Sequence, residues 1–389
     1  MSAAEPIPFN RPTLEGRELD YLADAARGGH SSANGPYSKQ AVEILREETG
    51  GQEVLLTTSC TMALEMSALL LDVGPGDTVI VPSFTFVTSA LAFARQGARL
   101  LFCDIEPETL GPDPRHVAEL LADAELGHTV RAVVTVHYAG VAGDLDGLLA
   151  VLAERPDVAL VEDTAHALFG RWRGRRLGSL GRFATLSFHE TKNIVCGEGG
   201  ALVLNDPADV DRAWVVYDKG TNRRAFFQGQ VDKYSWRDTG SSFGLSDTLA
   251  AQLLGQLEQR EAIQAKRRAV YEGYLSALAE PAAQLGLRLP VVPEHCEPAY
   301  HLFHVLLPSA AVRPSVIADL AERGIGSTFH YVPLHDSEGG RRFAARPTDC
   351  PVTIDVSVRL LRLPFHNGLS AEQVERVATA LAESLRRRA

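Results

Sequence analysis

One lysine, Lys192, stands between an apolar run and a glycine-rich turn in "ATLSFHETKNIVCGEGG". The chain has five lysines, Lys39, Lys192, Lys219, Lys233 and Lys266, against 33 arginines, so a lysine at the end of a buried strand asks for a chemical reason. An amine becomes a nucleophile or base near neutral pH only when its pKa falls from about 10.4. Two further stretches could set groups beside it. "VALVEDTAH" closes an apolar run with Glu162 and Asp163, which could meet a cationic ring nitrogen or simply cap a helix. "TTSCTMALEMS" turns from strand to helix with hydroxyls at Thr58, Ser59 and Thr61, and the N–H groups at a helix start suit a phosphate. The "GEGG" at 197–200 lets backbone approach a ligand, since glycine has no side chain to obstruct it. A lysine, a carboxylate and a phosphate cradle are together the kit for pyridoxal phosphate. The lysine would bond to its aldehyde, the carboxylate would keep its pyridine nitrogen protonated, and the helix start would hold its phosphate. No GxxxxGK and no GxGxxG after a strand competes. His137, His166 and His189 match no zinc spacing, so no metal is expected.

These groups need a sheet whose strand ends converge. "EVLLT" (53–57), "TVIV" (78–81), "ARLLFCD" (98–104), "VRAVVTVHY" (130–138), "DVALVED" (157–163) and "ATLSFHETK", ending at Lys192, read as buried strands. Helical patterns at 14–27, 61–71, 85–96, 114–123 and 144–154 alternate with them, which implies an α/β fold with a mostly parallel sheet covered on both faces. Ligands of such sheets lie beyond the carboxyl ends of the strands. Residues 245–278 read as one long helix leading into a smaller α+β domain. There "AYHLFHVLL" and "GSTFHYVPLH" look like strands, and a last helix opens with a capping box at Ser370 and Gln373. The expected division is a large domain over 1–250 and a small one over 251–389.

Composition narrows the classes. A net charge of −11 argues against a general nucleic-acid binder, and the basic run at 170–178 reads as a solvated turn. No apolar run spans a bilayer and no apolar leader is seen, so a cytoplasmic address is expected. Five scattered cysteines without a CxxC pair read as reduced thiols.

"PSFTFVTSA", "TVHYAGVAGDLD", "VEDTAHALFG", "SFHETKNIVCGEGG" and "FHYVPLH" resemble the DegT/DnrJ/EryC1/StrS nucleotide-sugar aminotransferases, fold-type I enzymes of pyridoxal phosphate. The resemblance runs from "IPFNRP" at residue 7 to "LLRLPFHNGLS" near 370. The block "KGTNRRAFFQGQVDKYSWRDTGSSF" (219–243) is similar to the branch that aminates C4 of dTDP-4-keto-6-deoxyhexoses. By this resemblance Lys192 is the cofactor-bearing, catalytic lysine and Asp163 partners the pyridine nitrogen. Ser187 and the Cys60–Thr61 turn take the phosphate, and Phe86 stacks on the ring. His166 stands where the family usually has a glutamine beside the phenolic oxygen. Ser242 lies near the position where many relatives send an asparagine to the neighbouring subunit's phosphate, which implies a homodimer with shared sites.

The resemblance implies transfer of the amino group of L-glutamate to C4 of a dTDP-4-keto-6-deoxyhexose. The second substrate's diphosphate calls for cations, and Lys219, Arg223, Arg224, Lys233 and Arg237 are the candidates. His330 and Tyr331 are candidates for the sugar pocket, Tyr138 for the nucleotide, and His189 and Glu198 flank the lysine as further substrate contacts. Each could instead be a packed or solvated residue. Three other readings stand beside this one. A sugar dehydratase of the same scaffold would have histidine at 192. A 3-amino-sugar transaminase and a non-catalytic, cofactor-binding regulator complete the set.

Overall fold

The computed structural model describes residues 5–388. Five apolar segments form β1 (Glu53–Thr57), β2 (Thr78–Pro82), β3 (Arg99–Cys103), β4 (Val130–Val136) and β5 (Ala159–Asp163). A small hairpin follows, β6 (Arg171–Trp172) and β7 (Arg175–Arg176), and then β8 (Phe183–Ser187) and β9 (Gly200–Leu204). The main sheet has seven strands in the order β1-β9-β8-β5-β4-β2-β3. β9 alone runs antiparallel to its neighbours, between β1 and β8. The other pairs are parallel.

Alternation along the strands feeds two cores, as a sheet covered on both faces requires. Val79, Val81, Phe102, Val134 and Val161 pack on one face, and Ile80, Leu101, Val133 and Leu160 on the other. A separate apolar cluster joins Tyr274, Phe303, Leu361, Val377 and Leu381, and it includes Ile7 from the other end of the chain. Its small sheet pairs β11 (His304–Leu306) with β12 (Leu360–Arg362), β10 being Cys296–Glu297. The final helix, Ala371–Arg386, opens with the expected Ser370/Gln373 capping box.

Three expectations are corrected. The long helix at 245–278 is two, Asp247–Glu258 and Arg260–Leu285. The Gln259 N–H closes back on Gln256 and Arg260 donates to the Leu257 carbonyl, so the backbone turns with no glycine or proline to announce it. "GSTFHYVPLH" is not a strand: only Thr328 pairs, with Arg362. Within "AYHLFHVLL" only His304–Leu306 is strand, and residues 299–303 form an irregular strap.

Gly200 is the tightest junction near the strand ends. It pairs with both Thr57 of β1 and Ser187 of β8. A Cβ there would lie 2.4 Å from the Cys60 nitrogen and from the Ser59 carbonyl carbon. The glycine therefore lets β9 approach the start of the Cys60–Leu70 helix, backbone to backbone, rather than a ligand directly. Gly200→Ala is expected to cost about 2–3 kcal/mol in urea unfolding, the scale of overpacking a rigid site. Gly339→Ala, where nothing lies within 4 Å, should leave stability nearly unchanged.

Candidate active site

A cavity of ≈ 460 Å³ opens beyond the carboxyl ends of β1, β5 and β8. Among the residues singled out above it gathers Ser59, Cys60, Thr61, Phe86, Asp163, His166, Ser187, His189, Lys192, Glu198, His330 and Tyr331. Side-chain alternation decides between the two neighbouring acids. Asp163 faces the cavity, while Glu162 turns to the opposite face. There Glu162 accepts from His137 Nε2 at 2.9 Å and from the N–H groups of Gly178, Leu180 and Gly181. Those bonds offset its burial and hold its pKa below the usual value. Glu162 thus anchors the loop into β8 and is not a ligand group.

Asp163 is held on both oxygens. Ser89 donates to Oδ2 at 2.6 Å and the Ala165 N–H donates to Oδ1 at 3.1 Å. Ser89 in turn is bonded to Thr85 at 2.9 Å, so Thr85, Ser89 and Asp163 form a hydroxyl chain that fixes the carboxylate. Sequence reading gave Ser89 no role, because a serine inside an apolar helix carries no signal of its own.

Lys192 lies five residues beyond β8, not on the strand as expected: β8 ends at Ser187 and the lysine sits in the following turn. Its N–H bonds to the His189 carbonyl. Among the described residues no carboxylate pairs with its ammonium. Burial first, and the Arg362 guanidinium with it, lowers its pKa from 10.5 to about 8, against the opposing pull of Cys60 and Asp163. The amine is therefore available as a nucleophile close to neutral pH.

The Cys60–Leu70 helix points its start at the same space. Ser59 is its N-cap and its hydroxyl takes the Met62 N–H. Cys60 and Thr61, whose N–H groups belong to the helix's first turn, line the cavity with Ser187. Phe86 lines the cavity with 57% of its surface exposed, a ring placed to cover a planar ligand.

On the far flank His166 stacks on His301 with centroids 4.0 Å apart. Burial, then Lys192, His330 and Arg362, keep His166 neutral, well below its ordinary pKa. His166 Nδ1 is buried without a partner. A buried lone pair costs less than a buried N–H, so the proton belongs on Nε2, and His166 offers the cavity a donor. His330 accepts from Arg362 at Nε2, 2.6 Å, and faces the Tyr138 hydroxyl with Nδ1 at 3.3 Å. Burial and the Arg362 charge lower His330 to about 2, so it too stays neutral.

The remaining candidates lie elsewhere. Tyr138 is buried beneath the cavity against Phe84, His304 and Tyr331, a packing place. Ser242 lines a separate groove with Lys219, Arg223 and Arg224. Lys233 and Arg237 lie on the same exposed 219–243 block and do not reach the cavity. His189 and Glu198 pair at the cavity rim, 3.7 Å apart. The structure adds Arg362, His301, Phe9 and Asn10 to the lining. Arg362 is half-buried, lies over the Phe9 ring at 4.7 Å and has no carboxylate partner among the described residues. Arginine is so common in this chain that its type gave no warning.

A free, desolvated amine, a fixed carboxylate, a helix start and an exposed aromatic ring fit pyridoxal phosphate. A family model for DegT/DnrJ/EryC1/StrS aminotransferases matches residues 12–382. The chain belongs to that family. TlmJ, an aminotransferase from Streptoalloteichus hindustanus, is 32% identical with a TM-score of 0.89, covering 99% of this chain and 100% of its own. DesV from S. venezuelae is 29% identical with a TM-score of 0.87, covering 98% and 99%. The sugar aminotransferase Spr1654 from Streptococcus pneumoniae, in its PMP form, is 25% identical with a TM-score of 0.89 and 98% coverage of each chain. No helix among the described residues is long and apolar enough to cross a membrane.

Capture of pyridoxal phosphate by this DegT/DnrJ/EryC1/StrS family member needs the neutral amine. Its rate in apoprotein, followed by absorbance, is expected to rise about tenfold per pH unit below pH 8 and to level off above it. The same sign applies to stability. The folded pKa of Lys192 is depressed, so the unfolded chain binds more protons between pH 8 and 10.5, and apoprotein stability should rise across that window. Lys192→Met should lose that rise.

Proposed function

We propose that this protein moves the amino group of L-glutamate to C4 of a dTDP-4-keto-6-deoxyhexose with pyridoxal phosphate as cofactor. The observation that carries the reading is the desolvated, unpaired amine of Lys192 in the same cavity as Asp163 and the Cys60–Leu70 helix start. Pyridoxal phosphate, when bound, supplies an electron sink that lowers the cost of a carbanion. Lys192 holds and then moves a proton between the amino acid's alpha carbon and the cofactor's reacting carbon, a positioned transfer worth about 10²–10⁴ in rate. Asp163, fixed by Ser89, keeps the pyridine nitrogen protonated. The Cys60 and Thr61 N–H groups and Ser187 hold the phosphate. His166, neutral, would offer its Nε2 hydrogen to the cofactor's phenolic oxygen.

Arg362 supports an acidic amino donor. A half-buried guanidinium without a protein carboxylate is only partly solvated, and a donor carboxylate would meet it with a forked pair of hydrogen bonds. The 219–243 block supports the nucleotide sugar. Its cations lie outside this chain's cavity, and it exposes Phe227, Tyr234 and Trp236, the last at 83%. Both features favour a homodimer in which the block of one copy meets the cavity of the other.

Incubation with dTDP-4-keto-6-deoxyglucose and glutamate should give a 4-amino-4,6-dideoxyhexose, identified by ring-proton couplings in NMR. An amine at C3 would transfer the reading to the 3-amino class. Lys192→Ala should abolish turnover with the fold retained. Arg362→Leu is expected to raise the KM for glutamate about a hundredfold, the cost of losing a charge-assisted pair. Its effect on the KM for the keto sugar should be much smaller, and equal effects on both substrates would remove the carboxylate assignment.

A further inference from the structure

Lys192 has no strand to hold it, because the ladder ends five residues earlier. The next residue supplies the tie. Asn193 is buried, and its Nδ2 donates to the Ala299 carbonyl at 2.6 Å. Its Oδ1 faces His301 Nδ1 at 2.8 Å. The amide orientation follows from its surroundings: turned over, its oxygen would meet the Ala299 carbonyl oxygen. His301 must therefore carry its proton on Nδ1. The groups facing His301, namely His166, Lys192, Arg267 and Arg362, together with burial, keep it neutral.

The strap that bears His301 is itself clamped. Arg267 is buried in the Arg260–Leu285 helix and donates from Nε to the Tyr300 carbonyl at 2.8 Å and from Nη2 to the His301 carbonyl at 2.5 Å. From Nη1 it donates to Asn367 at 2.9 Å. On the other side the Ala299 N–H bonds to the Gly140 carbonyl at 2.9 Å. Gly140 has φ +88, and a Cβ there would lie 2.8 Å from the His166 carbonyl oxygen and 2.9 Å from the Ala299 Cβ. The strap is thus pressed against the turn carrying His166, and the two imidazoles stack at 4.0 Å.

We propose that Asn193 and His301 are positioning residues for Lys192. The Asn193 amide ties the lysine's turn to the strap, and the neutral His301 supplies the donor that keeps the tie in register. Arg267 holds the strap from behind. A reacting amine must stay within a fraction of an ångström of its line of attack, and a displacement of about 1 Å can cost about a hundredfold in rate. The inference rests on the function proposed above, so its test reads the two separately.

Apoprotein is mixed with pyridoxal phosphate, and attachment is read over time by borohydride trapping and peptide mapping. Wild type should label at Lys192. Labelling elsewhere, or none, overturns the proposed function and this inference with it. With wild type labelled, Asn193→Ala and His301→Phe are expected to slow attachment about tenfold to a hundredfold. They should also shift the pH midpoint of the bound cofactor's absorbance and speed hydrogen exchange of residues 188–196 in apoprotein. His301→Phe keeps a stacked ring and loses only the donor, so folding should survive it. His301→Gln restores an N–H toward Asn193 and should recover most of the rate. A glutamine variant as slow as the phenylalanine one would overturn the donor assignment. Wild-type rates, midpoint and exchange in all variants would overturn the inference and leave the function standing.

Discussion

A cation enclosed by protein must find a counter-charge or give up its proton, and two cations here share one cavity without a carboxylate of their own. Lys192 responds by losing affinity for its proton. Arg362 cannot do so in practice, and its guanidinium stays charged, with His330 the only side chain that bonds to it among the described residues. The Cys60–Leu70 helix adds the positive end of its dipole. Against these stand the fixed charge of Asp163 and, at the rim, Glu198. In a chain of net charge −11 the cavity thus gathers two cations and a helix start. Under the proposed function a phosphate would meet the helix start and a donor carboxylate would meet Arg362, so binding and chemistry would draw on the same field.

The sheet makes that field possible by geometry. Parallel strands deliver their carboxyl ends to one edge, and alternation along β5 sends Asp163 into the cavity and Glu162 away from it. The single antiparallel strand, β9, spaces β1 from β8. Gly200 then lets β9 close to within backbone contact of the Ser59–Cys60 turn. The start of the Cys60–Leu70 helix and the lysine's turn follow strands far apart in sequence, and that one glycine lets the strand between them close on the helix start. The buried Glu162, with four hydrogen bonds, does the same for the loop into β8.

What was legible in the sequence follows from this. Buried strands are continuous apolar runs, so β1 to β5 and β8 could be read to within a few residues, and their order with the helices gave a mostly parallel sheet. Asp163 and the Ser59–Cys60 start were legible because each breaks an apolar pattern at a strand end, and Lys192 because it follows an apolar run, though it lies five residues past the end of β8. Features fixed by tertiary contacts were not. The break at Gln259 carries no glycine or proline, and its cause, the Arg260 bonds to Leu257 and Glu48, crosses between elements. "GSTFHYVPLH" has strand composition but gives its backbone only one pairing, through Thr328. Arg362 was hidden among 33 arginines, and Asn193 and His301 acquire meaning only when the strap crosses the lysine's turn.

The histidines around the cavity show why residue type alone understates such a site. His166, His301 and His330 would each be read as a titrating group near neutral pH. Desolvated by burial and set beside the charges of Lys192 and Arg362, all three stay neutral. Their function is then set by tautomer. His301 carries its proton toward Asn193, His330 turns a lone pair to Arg362, and His166 is left to present an N–H to the cavity. A glutamine at 166 would offer the same kind of N–H without a titratable ring. With its charge suppressed by burial and its neighbours, the histidine shares with that amide the ability to donate a hydrogen bond at fixed charge.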